Sequence, residues 1–193
     1  PDPGGPSQEK LAEALAKVGR HGLQVGDDRI ALTNRGAAIT LNGIAQGFAT
    51  DRVVERLRRA GLTTSLVDMG EIRAIGSRPE GVPWRIGLAD ADKPGAITET
   101  IELIDRAIAT TAGAGFRFDA AGRFTHLFDP RTGVSPSFYR TVSVVAPTAT
   151  EADALSTAFS LMAVRQIQDI VASRSNVLAR MIDSDGALVA FGA

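Results

Sequence analysis

A chain of 193 residues can bury a substantial core, and its 44% hydrophobic and 22% charged content is ordinary for a globular protein. Its formal net charge of -1 gives no general pull toward nucleic acid or an acidic membrane, and no apolar run approaches the roughly 20 residues that span a bilayer. With no cysteine, disulfides, thiolate zinc sites and a cysteine nucleophile are excluded.

Pro1 to Pro6 reads as a flexible lead-in, and a start without Met reads as trimmed. Ser7 is placed to cap a helix with Leu11, Ala14, Leu15 and Val18 on one face, ending near Gly19. Leu23 to Val25, Arg29 to Thr33 and Ala37 to Leu41 are predicted as short strands separated by turn residues. A helix follows from about Ala45 to Ala60. Phe48, Val53, Val54 and Leu57 are expected inward, with Asp51 and most other charges outward, and Gly61 stops it.

Strand-like runs come next: Ser65 to Val67, Glu71 to Ile75, Trp84 to Leu88, Ile97 to Leu103 and Ala107 to Thr111. A hairpin is expected from Gly115 to Phe118, turning at Ala121-Gly122 into Phe124 to Phe128. Strand Thr141 to Ala146 precedes a helix around Asp153, capped by Thr148 or Thr150. A helix over Val164 to Ala172 and strands Val177 to Ile182 and Leu188 to Phe191 close the chain. Sequential hairpins with interspersed helices predict an α+β fold, read as one domain over 7–193.

Four segments could carry chemistry. Asp153 and Thr157 stand four residues apart on one helix face, a carboxylate beside a hydroxyl, the hard oxygen donors that Mg²⁺ takes. Alone, that pattern is weak, because acidic first turns are common. Asn42-Gly-Ile-Ala-Gln-Gly47 is either a backbone cradle for a phosphate at a helix start or an ordinary tight turn. Asp68-Met-Gly-Glu71 offers a close approach to the main chain, or an ordinary hairpin turn. Thr125 to Gly133 gathers His126, Asp129 and Arg131; His126 is the main imidazole candidate for proton transfer, and Arg131 either clamps phosphate or pairs with Asp129. His21, in a post-helix turn, reads as surface or packing.

Three of these segments, in order, resemble the ApbE family of FAD:protein FMN transferases. Thr40-Leu-Asn-Gly-Ile-Ala-Gln-Gly-Phe-Ala-Thr-Asp51 is similar to the family's Asp-Leu-Gly-Gly-Ile-Ala-Lys-Gly-Tyr-Ala-x-Asp. Thr125 to Gly133 is similar to Ser-His-Ile-Ile-Asp-Pro-Arg-Thr-Gly, and Val144 to Ala158 follows Val-Val-Ala-Pro-Thr-Ala-x-x-Ala-Asp-Ala-Leu-Ser-Thr-Ala nearly throughout. The resemblance runs from about Gln8 to the C-terminus. It implies an ApbE-like (T-fold-like) domain with antiparallel sheets and packed helices.

It also implies an activity: Mg²⁺-dependent transfer of FMN from FAD to a Thr or Ser hydroxyl of a target flavoprotein, with release of AMP. FAD hydrolysis to FMN and AMP, or FAD holding without chemistry, are the alternatives. By resemblance, Gly43, Asp153, Ser156 and Thr157 are metal-site candidates, with His126 and Asp153 catalytic. Thr40, Gln46, Phe128 and Arg131 are candidates for contact with the flavin nucleotide.

The chain departs from the pattern at Thr40, where the family has Asp, at Gln46, where it has Lys, and at Met69-Gly70-Glu71, where Gly-Gly-Asp is usual. These changes resemble an exported subgroup tied to respiratory maturation, including nitrous oxide reduction. That implies a periplasmic location and a target in a membrane electron-transfer complex. By the resemblance, the family's N-terminal region, which supplies part of the FAD pocket, is expected before the point where this sequence begins; the sequence is then a fragment, or another chain supplies that part, or FAD binding is reduced.

Overall fold

The run Tyr-Arg-Thr-Val-Ser-Val-Val-Ala is rich in β-branched residues, and in the computed structural model it is the strand around which the sheet is built. The structure describes residues 5–90, 93, 95–115, 117–119 and 124–192. In chain order the elements are α1 (Gln8–Leu15), β1 (Leu23–Val25), β2 (Ile30–Leu32), α2 (Ala45–Arg59), β3 (Ser65–Asp68) and β4 (Ile72–Ile75). Then come β5 (Trp84–Ala89), β6 (Ile97–Leu103), β7 (Ala107–Ala112), β8 (Tyr139–Ala146), α3 (Ala149–Phe159), α4 (Val164–Ala172), β9 (Leu178–Asp183) and β10 (Leu188–Phe191). Six strands form one antiparallel sheet in the order β10-β9-β8-β7-β4-β3, while β1-β2 and β5-β6 are separate hairpins.

Consecutive residues Val142 to Ala146 are all buried, so both faces of the sheet are covered. On one face, Val142, Val144 and Met181 pack with Phe159 of α3 and Ile167 of α4. On the other, Ile108 and Val145 meet Ile86, Ile101 and Leu103 of the β5-β6 hairpin. Complete burial of side chains such as Phe159 and Ile167 contributes about 1.5–3 kcal/mol each. The α+β expectation of antiparallel sheets with packed helices matches this architecture. Among the described residues, no helix is long and apolar enough to cross a membrane.

Local differences have physical reasons. Ala37 to Leu41 is a loop: it pairs with no described strand, and Ile39 and Leu41 are exposed. The inward stripe of α2 is Gly47, Thr50, Asp51 and Val54, so Phe48 points outward under the Arg52 guanidinium, 5.2 Å from its ring centroid. Asp51, expected outside, is buried because it caps a neighbouring helix. Among the described residues, the expected hairpin at 115–128 shows as a bridge between Arg117 and Thr125 and a hydrogen bond from the Phe118 N–H to the Phe124 carbonyl, with Gly113–Gly115 a 3-10 turn; its Ala121-Gly122 turn lies outside the described residues. Residues 1–4 of the lead-in also lie outside them.

Candidate active site

The site grows from the crossing of α2 and α3. A Cβ on Gly47 would stand 2.3 Å from the Ala149 carbonyl oxygen and 2.8 Å from Asp153 Cβ, so only glycine permits this approach. Across the contact, the Gly47 N–H donates to Asp153 Oδ2 at 2.9 Å. One turn further along α2, Asp51 accepts from the Ala149 N–H (3.0 Å), the Thr150 N–H (2.8 Å) and the Thr150 hydroxyl (2.6 Å). Thr148, the N-cap, accepts from the Glu151 N–H at 3.1 Å. The first-turn amides of α3 are thus spent on Asp51 and Thr148, leaving Asp153 facing a cleft.

That cleft is about 730 Å³, within the range of ligand sites. Thr40, Gly43, Gln46, His126, Phe128, Asp153 and Thr157 all line it, together with Glu71. Gly43 lies against Thr157: a Cβ there would be 3.1 Å from Thr157 Cγ2 and 3.4 Å from its hydroxyl oxygen. Gln46 spans the cleft wall, its Nε2 donating to the Met69 carbonyl at 2.8 Å. His126 sits exposed on a bend fixed by its buried neighbours: Thr125 N–H donates to Ser135 Oγ at 2.9 Å and Leu127 N–H to Thr125 Oγ1 at 3.2 Å. Phe128 is half exposed, its ring centroid 5.9 Å from that of Phe118.

Two candidates lie elsewhere. Ser156 is buried behind the cleft wall, its hydroxyl 2.8 Å from Thr111 Oγ1 and donating to the Asp153 carbonyl at 3.0 Å. Arg131 is outside the cleft lining. Its guanidinium binds both Asp129 oxygens, Nε–Oδ1 at 2.9 Å and Nη2–Oδ2 at 2.7 Å, which holds the Asp129 carboxyl below its usual range.

Glu71 is the residue that sequence reasoning passed over. Burial pushes its carboxyl up to about 7, the negative charges of Asp153 and Asp68 add to this, and a hydrogen bond with the Thr110 backbone opposes it. Its Oε2 is buried without a hydrogen-bond partner. Asp153 is raised as well, by burial, against the Gly47 hydrogen bond. The sequence marked Glu71 only as the end of the Asp68 to Glu71 turn and as a departure from Gly-Gly-Asp, with no role for its carboxyl; its nearness to Asp153 arises from the packing of α3 on the sheet.

Two buried carboxyls on one cleft, one with an orphaned oxygen, fit a hard cation. Among the described residues no cluster of three or more His, Asp or Glu forms a ready-made metal cage. A cation here would therefore draw on the Asp153 carboxylate, the Thr157 hydroxyl and backbone oxygen at Gly43, with Glu71 nearby. A second cavity of about 440 Å³ lies between the sheet and the β5-β6 hairpin, and it shares Thr110, Ala112 and Gly115 with the cleft.

Residues 1–182 match the model of the ApbE family. The chain belongs to the ApbE family. It is 30% identical over 193 residues to the FAD:protein FMN transferase of Haemophilus influenzae, covering 95% of this chain and 56% of that protein. The Escherichia coli K12 FAD:protein FMN transferase is 28% identical over 190 residues, covering 94% and 54% respectively. The ApbE crystal structure from Thermotoga maritima superposes with a TM-score of 0.87 at 30% identity, over 96% of this chain and 62% of that one. The apo flavinyl transferase ApbE of Pseudomonas stutzeri gives 0.78 at 26% identity, over 96% and 58%. The chain thus spans about half the length of the curated ApbE relatives it matches.

Proposed function

We propose that this ApbE-family chain transfers the FMN moiety of FAD to a Thr or Ser hydroxyl of a target protein, releasing AMP, with Mg²⁺ as cofactor. The observation that carries this reading is Asp153: buried, oriented by the Gly47 N–H, and facing a cleft with Gly43, Thr157 and His126 around it. The FAD:protein FMN transferase activity for which the Haemophilus influenzae and Escherichia coli relatives are named supports it.

The chemistry is displacement at phosphorus. The acceptor hydroxyl oxygen forms a bond to the FMN phosphorus, the phosphoanhydride P–O bond breaks, and AMP leaves with the bonding electrons. Bound Mg²⁺ would neutralise the charge developing on the phosphoryl oxygens. Asp153 and Thr157 would hold it, with Gly43 letting the backbone approach. Ser156, through the Asp153 carbonyl and Thr111, would keep the α3 segment in place.

His126 would take the proton from the attacking hydroxyl, its ring reaching the cleft from a bend that Thr125 and Ser135 fix. Thr40, Gln46 and Phe128 would contact the nucleotide, Phe128 by offering an exposed ring face. Arg131 would act through its turn, by locking Asp129. The cleft and the second cavity share Thr110, Ala112 and Gly115, and together they would take the two halves of the dinucleotide. Within this reading the protein works outside the cytoplasm, in the periplasm, on a flavoprotein of a membrane electron-transfer complex.

The test is incubation with FAD, Mg²⁺ and a Thr-bearing acceptor domain, with AMP followed by chromatography and flavin fluorescence in the acceptor band on a denaturing gel. Acceptor-dependent AMP with a fluorescent band is expected. AMP without acceptor would replace transfer by hydrolysis, and FAD binding without AMP would leave a holding protein.

A further inference from the structure

Away from the cleft, α2, β4 and the start of α3 enclose a cavity of about 270 Å³ that shares no lining residue with it. Arg73 of β4 lines this cavity and is only 7% exposed, yet its Nε and Nη1 have no hydrogen-bond partner. Its ion-pair partner, Asp51, stands 3.8 Å from Nε, beyond hydrogen-bond reach. Asp51 is moreover occupied, its oxygens already accepting three hydrogen bonds from Ala149 and Thr150.

The other charges around the cavity are engaged in ion pairs of their own. Glu55, the second carboxylate in the lining, is held by Arg52 and lies 3.8 Å from Arg59. Arg58, also lining, is bound to Asp105; its charge disfavours that of Arg73, while the Asp105 charge favours it. At the lip, the Thr148 oxygen accepts from Glu151, so its own hydrogen is free to donate. Buried guanidinium donors without acceptors, beside a second guanidinium and a free hydroxyl, suit an acceptor with several oxygens and negative charge. Water supplies neither the charge nor the paired oxygens that the planar edge of an arginine matches.

We propose that this cavity is a binding site for a small oxoanion of the phosphate class, held by Arg73 and Arg58 with Thr148 at its lip. It is independent of the flavin reading, because it stands on residues outside the cleft.

The experiment is a titration of the ¹⁵N-labelled protein with inorganic phosphate at constant ionic strength, reading arginine Nε–H resonances and backbone amides. The Arg73 Nε–H signal, assigned by through-bond correlation and by its loss in Arg73→Lys, should shift saturably. Arg58→Ala should weaken the apparent affinity by about tenfold, the loss of one charge-assisted contact. Arg58 is partly exposed, so this variant tests the site even if Arg73→Lys does not fold. An Arg73 signal that does not move, or moves equally with chloride, overturns the proposal. So do saturable shifts confined to Gly43 and Gln46 amides, and so does an Arg58→Ala variant that binds phosphate unchanged.

Discussion

Gly47 and Asp153, 106 residues apart, are joined by one hydrogen bond of 2.9 Å, and the absent side chain of the first lets the second be reached. The glycine carries both terms: its missing Cβ sets the helix separation and its N–H fixes one carboxylate oxygen. Gly47→Ala would put a methyl carbon against the Ala149 backbone, which a flexible side chain cannot relieve. Destabilisation by about 1–3 kcal/mol or more is expected in urea denaturation, with loss of FAD turnover. Wild-type stability in this variant would mean that α2 and α3 can separate freely.

How far the sequence could foretell this differs from residue to residue. Most strands and α2 to α4 follow from periodicity and breakers, because Val142 to Ala146 and Ile167 are buried as their apolarity implies. Thr148 was one of two candidates for the α3 cap, and the structure selects it because Thr150 donates its hydroxyl to Asp51. The inward placement of Asp51 and the outward turn of Phe48 were not legible. Both depend on a partner helix 98 residues away, and a hydropathy pattern carries no such term. Glu71 was hidden for the same reason: its environment is made by Asp153, from another element.

Asp153→Asn tests the metal reading. The asparagine Oδ1 can still accept from Gly47, so the fold should survive, whereas the charge is lost. Mg²⁺ should raise the wild-type melting temperature and leave that of the variant unchanged, and turnover should fall about a hundredfold or more. Thr157→Val, which removes a neutral donor atom, should weaken Mg²⁺ binding less. Undiminished Mg²⁺ stabilisation in Asp153→Asn would move the cation elsewhere.

Glu71 sets a pH dependence. Its carboxyl titrates near 7 in the folded chain against an ordinary value of 4.5, so between those values the folded state holds a proton that the unfolded state has lost. Its contribution is present in full below about pH 4.5, declines as pH rises toward 7, and is flat above. Glu71→Gln removes that decline. In metal-free denaturation series the two proteins should be close at pH 4, and the variant should be more stable at pH 8 by on the order of 2 kcal/mol. Added Mg²⁺, by compensating the ionised carboxylates, should stabilise wild type more at pH 8 than at pH 5. Parallel wild-type and variant curves across the range would refute the raised value.

Asp51 and Arg73 form the other buried charge pair, and the geometry predicts how their energies combine. Asp51 accepts three hydrogen bonds from the start of α3 and lies 3.8 Å from Arg73 Nε. Asp51→Asn keeps one acceptor but leaves the Arg73 charge buried without its counter-ion, so a loss of about 3 kcal/mol is expected. Arg73→Met removes the cation and leaves the Asp51 hydrogen bonds, so its cost should be smaller. Because the main penalty of Asp51→Asn is the stranded guanidinium, the double variant should lose less than the sum of the single losses, with a coupling of about 1–2 kcal/mol in a double-mutant cycle. Measured in phosphate-free buffer, strict additivity would mean that Arg73 takes its compensation from solvent, and that Asp51 serves the helix cap alone.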